Sequence, residues 1–173
     1  GLGDVYKRQP SLNQAQLDWA QDHLAILSGL YGILRPLDWM QPYRLEMGTK
    51  LANPRGKDLY AWWGDALAHH LNEVLAAQGS DLIVNLASQE YFKAVKRKAL
   101  KARVVECVFE DHKAGAYKVI SFHAKRARGL MARHIIVHQI EREQDLQGFE
   151  AEGYAYAPAV SEPGRLVFRR HTV

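Results

Sequence analysis

The chain has 173 residues, of which 47% are hydrophobic and 24% are charged, and its formal net charge is +4. This composition is ordinary for a globular protein of one domain and excludes a disordered, low-complexity chain. The single Cys107 excludes an internal disulfide and fits a reducing cytosol. No apolar run approaches the roughly 18 residues of a membrane span, so we expect a cytoplasmic protein without a membrane anchor.

The first residues, "GLGDVYKRQ", lack an initiator Met and read unlike the sequence that follows. We interpret residues 1–10 as a non-native or disordered leader and residues 11–173 as the part that carries the fold.

Two helices are predicted in the first half of the chain. Residues 11–28 carry an apolar stripe at helical spacing, and an S-x-x-Q capping box begins at Ser11. Residues 58–78 have the clearest helical periodicity, with Asp58 as the N-cap and Gly79 after the last turn.

The second half of the chain alternates strands and helices. An apolar run at 81–87 indicates a buried strand, after which "SQEYFKAV" starts a short helix. Further strands are predicted at 103–110, 117–123 and 165–170, and a buried helix at 124–141. This order predicts an α/β fold of mixed α+β type: one domain with a mixed sheet flanked by helices.

The stretch "SGLYGILRPLDWMQPYRLEMG", residues 28–48, fits no regular element. Its prolines and glycines interrupt helices, while its Leu, Tyr and Trp side chains can anchor it to a core. A long connection of this kind is usually functional. It would hold two arginines and two acids in fixed positions, namely Arg35, Asp38, Arg44 and Glu46. The alternative is that the acids merely neutralise the arginines beside them.

Basic residues are concentrated in two windows that contain no acid. Residues 93–103 and 123–134 together hold ten of the 23 lysines and arginines. Clustered cations indicate a polyanionic partner, although two solvated basic faces are the alternative. Lys125, Arg126 and Arg128 occupy the first turns of the predicted helix, where the helix dipole disfavours cations. A docked anion would reverse that effect, and neighbouring carboxylates would also explain it.

The stretch "NLASQEYFK" places polar residues at the end of a predicted strand. Asn85 interrupts an apolar run, and Ser88 lies where the strand passes into a helix. Glu90 and Lys93 follow, one helical turn apart. We expect a site at this strand end, with a structural Asn85 and a capping Ser88 as the alternative.

No metal or cofactor site is predicted. His134 and His138 have the i,i+4 spacing of a metal-binding pair, but the sequence offers no evident third ligand.

Three stretches carry a family resemblance: "SGLYGILRPLDWMQPYRLEMG", "NLASQEYFKAV" and "SFHAKRARGLMARHII", with "GKDLYAWWGDALAHHLNE" between the first two. In content, order and spacing they resemble the YaaA family of bacterial peroxide-stress proteins, over roughly residues 14–170. The resemblance implies a cytosolic protein of mixed α/β fold that protects during hydrogen peroxide stress, limits iron-driven damage and binds DNA.

The chain departs from the family pattern at its front. Family members begin with a strand carrying a Ser-Pro-Ala-Lys motif and continue into a helical region with a helix-hairpin-helix-like element, and neither occurs in this sequence. We therefore interpret residues 11–173 as the C-terminal two-thirds of a YaaA-like domain. A residual anion-binding surface is the property we carry over.

Three hypotheses for function follow. The first is a non-enzymatic stress protein that binds DNA through phosphate contacts. The second is an enzyme that acts on a nucleotide or another phosphorylated small molecule in a basic pocket, with Glu46 or Glu90 as the general acid or base. Direct iron sequestration ranks third. The candidate anion- or DNA-binding residues are Arg35, Arg44, Lys93, Lys96, Arg97, Lys98, Lys125, Arg126 and Arg128, and the candidate polar pocket residues are Glu46, Asn85, Ser88 and Glu90.

Overall fold

The computed structural model describes residues 12–171. It contains a five-stranded mixed sheet with helices packed on both faces, which confirms the predicted α/β class. The predicted leader, residues 1–10, and the predicted capping residue Ser11 lie outside the described residues.

The elements follow one another in a mixed order along the chain. The helices are α1 (Gln14–His23), α2 (Leu59–Trp63), α3 (Ala66–Gln78), α4 (Gln89–Phe92) and α5 (Ser121–His138). The strands are β1 (Ile26–Ser28), β2 (Gly32–Leu34), β3 (Leu82–Asn85), β4 (Arg103–Lys113), β5 (Ala116–Lys118), β6 (Ala155–Tyr156) and β7 (Arg165–His171). Short 3₁₀ helices span Glu143–Gly148 and Pro158–Val160.

Three parallel strands form most of the sheet, in the order β3-β4-β7, with β3 at one edge. The short strands β5 and β6 pair antiparallel with β4 and β7, and β1 and β2 form a separate hairpin. Asn85, at the end of β3, lies opposite Glu106 of β4. The carboxyl end of β3 is therefore fixed beside β4.

Two hydrophobic clusters lie on opposite faces of this sheet. One contains Val105, Cys107 and Phe109 of β4 with Ala127 and Met131 of α5. The other contains residues of α2, α3 and the α4 region, and it receives Ile83 of β3. Because side chains alternate along a strand, consecutive residues of β3 pack into the two clusters in turn.

The first predicted helix is wrong in both of its bounds. Its N-cap is Asn13, which forms a capping box with Gln16, and α1 ends at His23. The apolar stripe continues into β1, where Leu27 pairs with Ile33 of β2. Pairing with a neighbouring strand therefore overrides a helical pattern that the sequence alone favours.

The helix predicted at 58–78 is two helices. Gly64, with φ of +51°, separates α2 from α3 because it adopts a backbone conformation that few other residues tolerate. The predicted caps are confirmed: Asp58 accepts a hydrogen bond of 2.8 Å from the Ala61 N–H, and Gly79 ends α3 in the left-handed conformation.

The strand predicted at 117–123 is mostly wrong. β5 ends at Lys118, and α5 begins at Ser121. Lys125 is consequently in the second turn of α5, further from the exposed N–H groups of its first turn than the sequence suggested. The helix is also not buried all round, since Phe122 is 78% exposed. In the described part of the chain, no helix has the length and apolar character that crossing a bilayer requires.

Candidate functional site

Segment 28–48 is anchored by its own tyrosines. The buried hydroxyl of Ser28 is hydrogen-bonded to the hydroxyl of Tyr43 and accepts a bond of 3.0 Å from the Tyr31 N–H. The Tyr31 hydroxyl in turn accepts a bond of 3.1 Å from the Gln41 N–H. The prediction that this segment has no regular element is wrong at Gly32–Leu34, which forms β2.

The end of segment 28–48 contacts the start of α4 directly. The Gly48 N–H donates to Glu90 Oε1 at 2.9 Å, and the Tyr91 hydroxyl donates to Glu46 Oε2 at 2.9 Å. Burial raises the pKa of Tyr91 to about 12, with a further contribution from the Glu46 carboxylate. The first two sequence motifs therefore meet, and they bring Glu46 and Glu90 to one place.

Two lysine ammonium groups lie over one aromatic ring at this junction. Lys93 Nζ is 4.8 Å and Lys96 Nζ is 5.7 Å from the centroid of the Tyr60 ring. The Tyr60 hydroxyl donates to the Glu90 carbonyl at 2.7 Å, which fixes the ring against α4. Burial, followed by the charges of Glu90 and Asp58, raises the pKa of Tyr60. The phenol therefore stays protonated and acts as a neutral platform for both cations.

Asn85 and Ser88 have structural contacts at the end of β3. Asn85 donates to Glu106 Oε2 at 2.8 Å and accepts from the Ala87 N–H at 3.0 Å. Ser88 caps α4 by accepting from the Tyr91 N–H at 3.4 Å. These contacts hold the turn from β3 into α4 in place, as the structural alternative for both residues anticipated.

The third motif reaches the end of β3 from the opposite face of the sheet. Ala127 of α5 belongs to the same apolar cluster as Leu86, which follows β3. Arg128 is half-buried, and burial lowers the pKa of its guanidinium. Across residues 12–171, no hydrogen bond or ion pair joins the side chain of Lys125 or Arg128 to segment 28–48 or to α4. The structure thus connects the third motif to the other two through the core and not by direct polar contact.

Ion pairs divide the nine predicted cations into two groups. Arg35 lies 3.6 Å from Asp38, Arg97 lies 3.8 Å from Glu106, and Arg126 donates from Nε to both carboxylate oxygens of Glu152. Within the described residues, the cations that lack a carboxylate within 4 Å are Arg44, Lys93, Lys96, Lys98, Lys125 and Arg128. The alternative in which the acids of segment 28–48 neutralise their neighbours therefore holds for Arg35 and fails for Arg44.

Sequence reasoning missed three residues of this site. Tyr60 and Tyr91 lie in predicted helices to which the sequence assigned no function for them, and no spacing signal marks Tyr60 as a platform for cations. Glu106 lies in a strand and is identified only by its pairing with Asn85. Such contacts depend on the tertiary arrangement.

Two further features of the described residues bear on metal and ligand binding. Among residues 12–171, no three His, Cys, Asp or Glu side chains come together as a metal site. A shallow depression of about 390 Å³ is lined by residues 150–155 and contains Glu152, but none of the four predicted pocket residues.

Comparison with known proteins confirms the family resemblance. A family model described as "Peroxide stress protein YaaA" matches residues 2–160. Similar curated relatives are UPF0246 proteins of three bacteria. The protein of Leptothrix cholodnii is 67% identical, over 98% of this chain and 66% of the relative. The protein of Verminephrobacter eiseniae is 65% identical, over 97% of this chain and 65% of the relative, and that of Bordetella petrii is 63% identical, over 97% of this chain and 66% of the relative. The chain thus spans about two thirds of the length of these relatives.

Proposed function

The chain belongs to the family of peroxide stress protein YaaA, and from that premise we propose that it serves in the peroxide stress response by binding the phosphate backbone of DNA. The binding surface is basic and centres on the junction of segment 28–48 with α4. Binding of this kind depends on phosphate charge and not on base sequence.

The observation that carries the proposal is the placement of Lys93 and Lys96 over the Tyr60 ring. A carboxylate partner would cancel the charge of each ammonium, whereas an aromatic ring positions the ammonium and leaves its net charge in place. Two positioned charges without a carboxylate partner in the described chain are suited to phosphate oxygens.

The other predicted cations contribute unequally. Lys98 is exposed two residues beyond Lys96, and Arg44 is exposed in the segment that contacts α4. Lys125 and Arg128 extend the basic character to the other face. Arg35, Arg97 and Arg126 contribute less, because carboxylates already neutralise them.

The cellular role rests on the family. We propose that the protein acts in the cytoplasm and limits iron-driven damage to DNA, which a protein bound along the phosphate backbone would do by excluding reactive iron from it. Survival of a deletion strain in hydrogen peroxide tests this role: the wild-type gene should restore survival, and a variant that no longer binds DNA should not.

The binding test uses the full-length protein and labelled duplex DNA, with fluorescence anisotropy measured at several salt concentrations. We expect the double variant Lys93→Gln, Lys96→Gln to weaken binding and to lower the slope of log affinity against log salt by about two, one for each lost phosphate contact. The matched control changes two exposed lysines of the β4–β5 hairpin, Lys113→Gln and Lys118→Gln. Equal losses in both variants would show that only net charge matters.

A second candidate function is an enzyme that acts on a nucleotide or another phosphorylated small molecule. The observation that favours it is that Glu46 and Glu90 lie at the same junction of segment 28–48 with α4 that carries Lys93, since binding to a phosphate backbone does not need acids there. In this case a mononucleotide should raise the melting temperature of the protein saturably and should displace duplex DNA. The variant Glu46→Gln should keep that binding and lose turnover, as expected for a general acid or base.

A further inference from the structure

Trp39 is exposed on an ordered segment. Its side chain is 99% exposed, the largest value among the exposed hydrophobic residues. The backbone on either side is held by hydrogen bonds: Leu37 N–H donates to Gln21 Oε1 at 2.8 Å, and Gln41 N–H donates to the Tyr31 hydroxyl at 3.1 Å. The indole is therefore presented to solvent by a fixed backbone.

Trp39 differs from the other three tryptophans. Trp19 stacks on His23, Trp62 lies under the Arg55 guanidinium, and Trp63 donates to the Gly29 carbonyl. Within residues 12–171, Trp39 has no ring contact and no side-chain hydrogen bond. Within the described residues its indole makes no packing contact, so the ring is available to a partner.

The charge around Trp39 indicates what that partner is. Residues 35–58 contain five cations and three acids, and each acid is already engaged. Asp38 pairs with Arg35, Glu46 accepts from Tyr91, and Asp58 caps α2. Of the five cations, Arg35 alone has a carboxylate within 4 Å in the described residues. An apolar ring on a stretch of chain with an excess of positive charge fits a partner that is both aromatic and anionic.

We propose that Trp39 is a stacking platform for an unpaired base of a single-stranded nucleic acid, whose phosphates are held by cations of the same stretch of chain. The inference rests on the proposed phosphate binding and adds that the bound nucleic acid is single-stranded at this position. Every base has a π face on which an indole can stack, but in a duplex those faces are already covered by neighbouring base pairs. A second copy of the chain is a poorer occupant, because it would bring the same excess of positive charge to the contact.

The test separates bases from phosphates. The full-length protein is titrated with an oligothymidylate, with a strand of equal length and charge that carries abasic sites, and with a duplex. We expect the wild type to bind the oligothymidylate about tenfold more tightly than the abasic strand. Trp39→Ala should abolish that difference and leave duplex binding unchanged, while Trp39→Phe keeps most of it. Leu37→Ala, a change at a neighbour that is 46% exposed, should have no effect.

The possible outcomes distinguish this inference from the proposed function. Equal binding of the two single strands by the wild type would overturn the stacking role and leave phosphate binding intact. Loss of all binding by all three probes would overturn both. The fluorescence of Trp39 is the difference in emission between the wild type and Trp39→Phe. Acrylamide should quench this fluorescence in the free protein, and bound oligothymidylate should protect it. Emission already shielded in the free protein, or a dimer that Trp39→Ala dissociates, would identify a protein occupant and overturn the inference.

Discussion

The backbone N–H of Gly48 donates a hydrogen bond of 2.9 Å to Oε1 of Glu90, which joins residues 42 positions apart. A Cβ atom on residue 48 would lie 2.9 Å from the same oxygen, so the contact requires a residue without a side chain. Gly29 is in a stricter position, because a Cβ there would lie 2.4 Å from the backbone oxygen of Leu45. Both positions require glycine because another part of the chain lies where a Cβ atom would be, and not because their backbone has an unusual φ.

These two glycines should differ in their sensitivity to alanine. Gly29→Ala should destabilise the fold by about 3 kcal/mol, because a backbone carbonyl cannot move aside. Gly48→Ala should cost about 1 kcal/mol, the value of the lost hydrogen bond, because the Glu90 side chain can rotate away. Gly148→Ala is the control, since a Cβ there meets nothing within 4 Å. Urea unfolding measures all three, and equal losses at residues 29 and 48 would contradict this account.

The sequence predicted the elements around the sheet best. β3, the start of α4 and β7 lie within two residues of their predicted positions, because burial between two faces imposes a local pattern on these elements. The same reasoning failed for Leu27, whose apolar character suits a helix stripe and a strand equally. Its partner Ile33 decided the outcome, and that pairing depends on a hairpin turn that a local pattern does not reveal.

The candidate site was predictable as a set of cations but not as a geometry. Composition alone identified Lys93 and Lys96 as part of a basic window. Which cations keep their charge depends on carboxylates such as Glu152, 26 positions from Arg126. Their placement depends on Tyr60, which the sequence placed in a predicted helix without a role. Neutralisation and positioning are tertiary properties, so the sequence could not distinguish Lys93 from Arg126.

Cys107 should make stability fall at alkaline pH. Burial, with smaller contributions from Glu106 and Glu143, raises the pKa of its thiol to about 12. In the unfolded chain the thiol has a pKa of about 8.5. Above that pH the unfolded state loses a proton that the folded state keeps. The contribution of the protonated thiol to the free energy of unfolding is therefore complete below a pH of about 8.5. Between that pH and about 12 it falls by roughly 1.4 kcal/mol per pH unit.

The variant Cys107→Ala tests this linkage. The free energy of unfolding, measured in urea at pH 8, 9 and 10, should decline less steeply in the variant by the equivalent of one proton. Below pH 8 the variant should show only the pH-independent loss from the smaller side chain. Identical slopes for both proteins would mean that the thiol ionises equally in the two states.

The pair of Asp111 and Arg170 should be the most sensitive ion pair. Asp111 is fully buried and accepts hydrogen bonds from Arg170 Nε and, at 2.7 Å, from the Tyr154 hydroxyl. Burial alone would raise the pKa of Asp111, but these bonds outweigh it and lower the pKa. This contribution to stability is present above the unfolded pKa of about 3.9 and is lost as the pH falls through the folded value.

Removal of one partner should therefore leave a buried charge without compensation. Arg170→Met should destabilise the protein by about 3–5 kcal/mol at pH 7. The matched control is Arg142→Met, whose partner Asp145 is exposed, and it should change stability by less than about 0.5 kcal/mol. Thermal unfolding measures both variants, and a similar small loss at Arg170 would show that water reaches Asp111 when the arginine is removed.

Tyr60 should govern DNA affinity through its ring and stability through its hydroxyl. Tyr60→Phe keeps the ring beneath Lys93 and Lys96 and removes only the bond to the Glu90 carbonyl, so it should cost about 1 kcal/mol of stability and leave affinity near the wild-type value. Tyr60→Leu removes the ring as well, and both ammonium groups must then be ordered when phosphate binds. Affinity for duplex DNA should fall about fivefold, as expected from the loss of two exposed cation–π contacts.

Anisotropy titrations measure the affinity of both Tyr60 variants for duplex DNA, and urea unfolding measures their stability. If the phenylalanine variant loses as much affinity as the leucine variant, the hydroxyl and not the ring positions the two lysines.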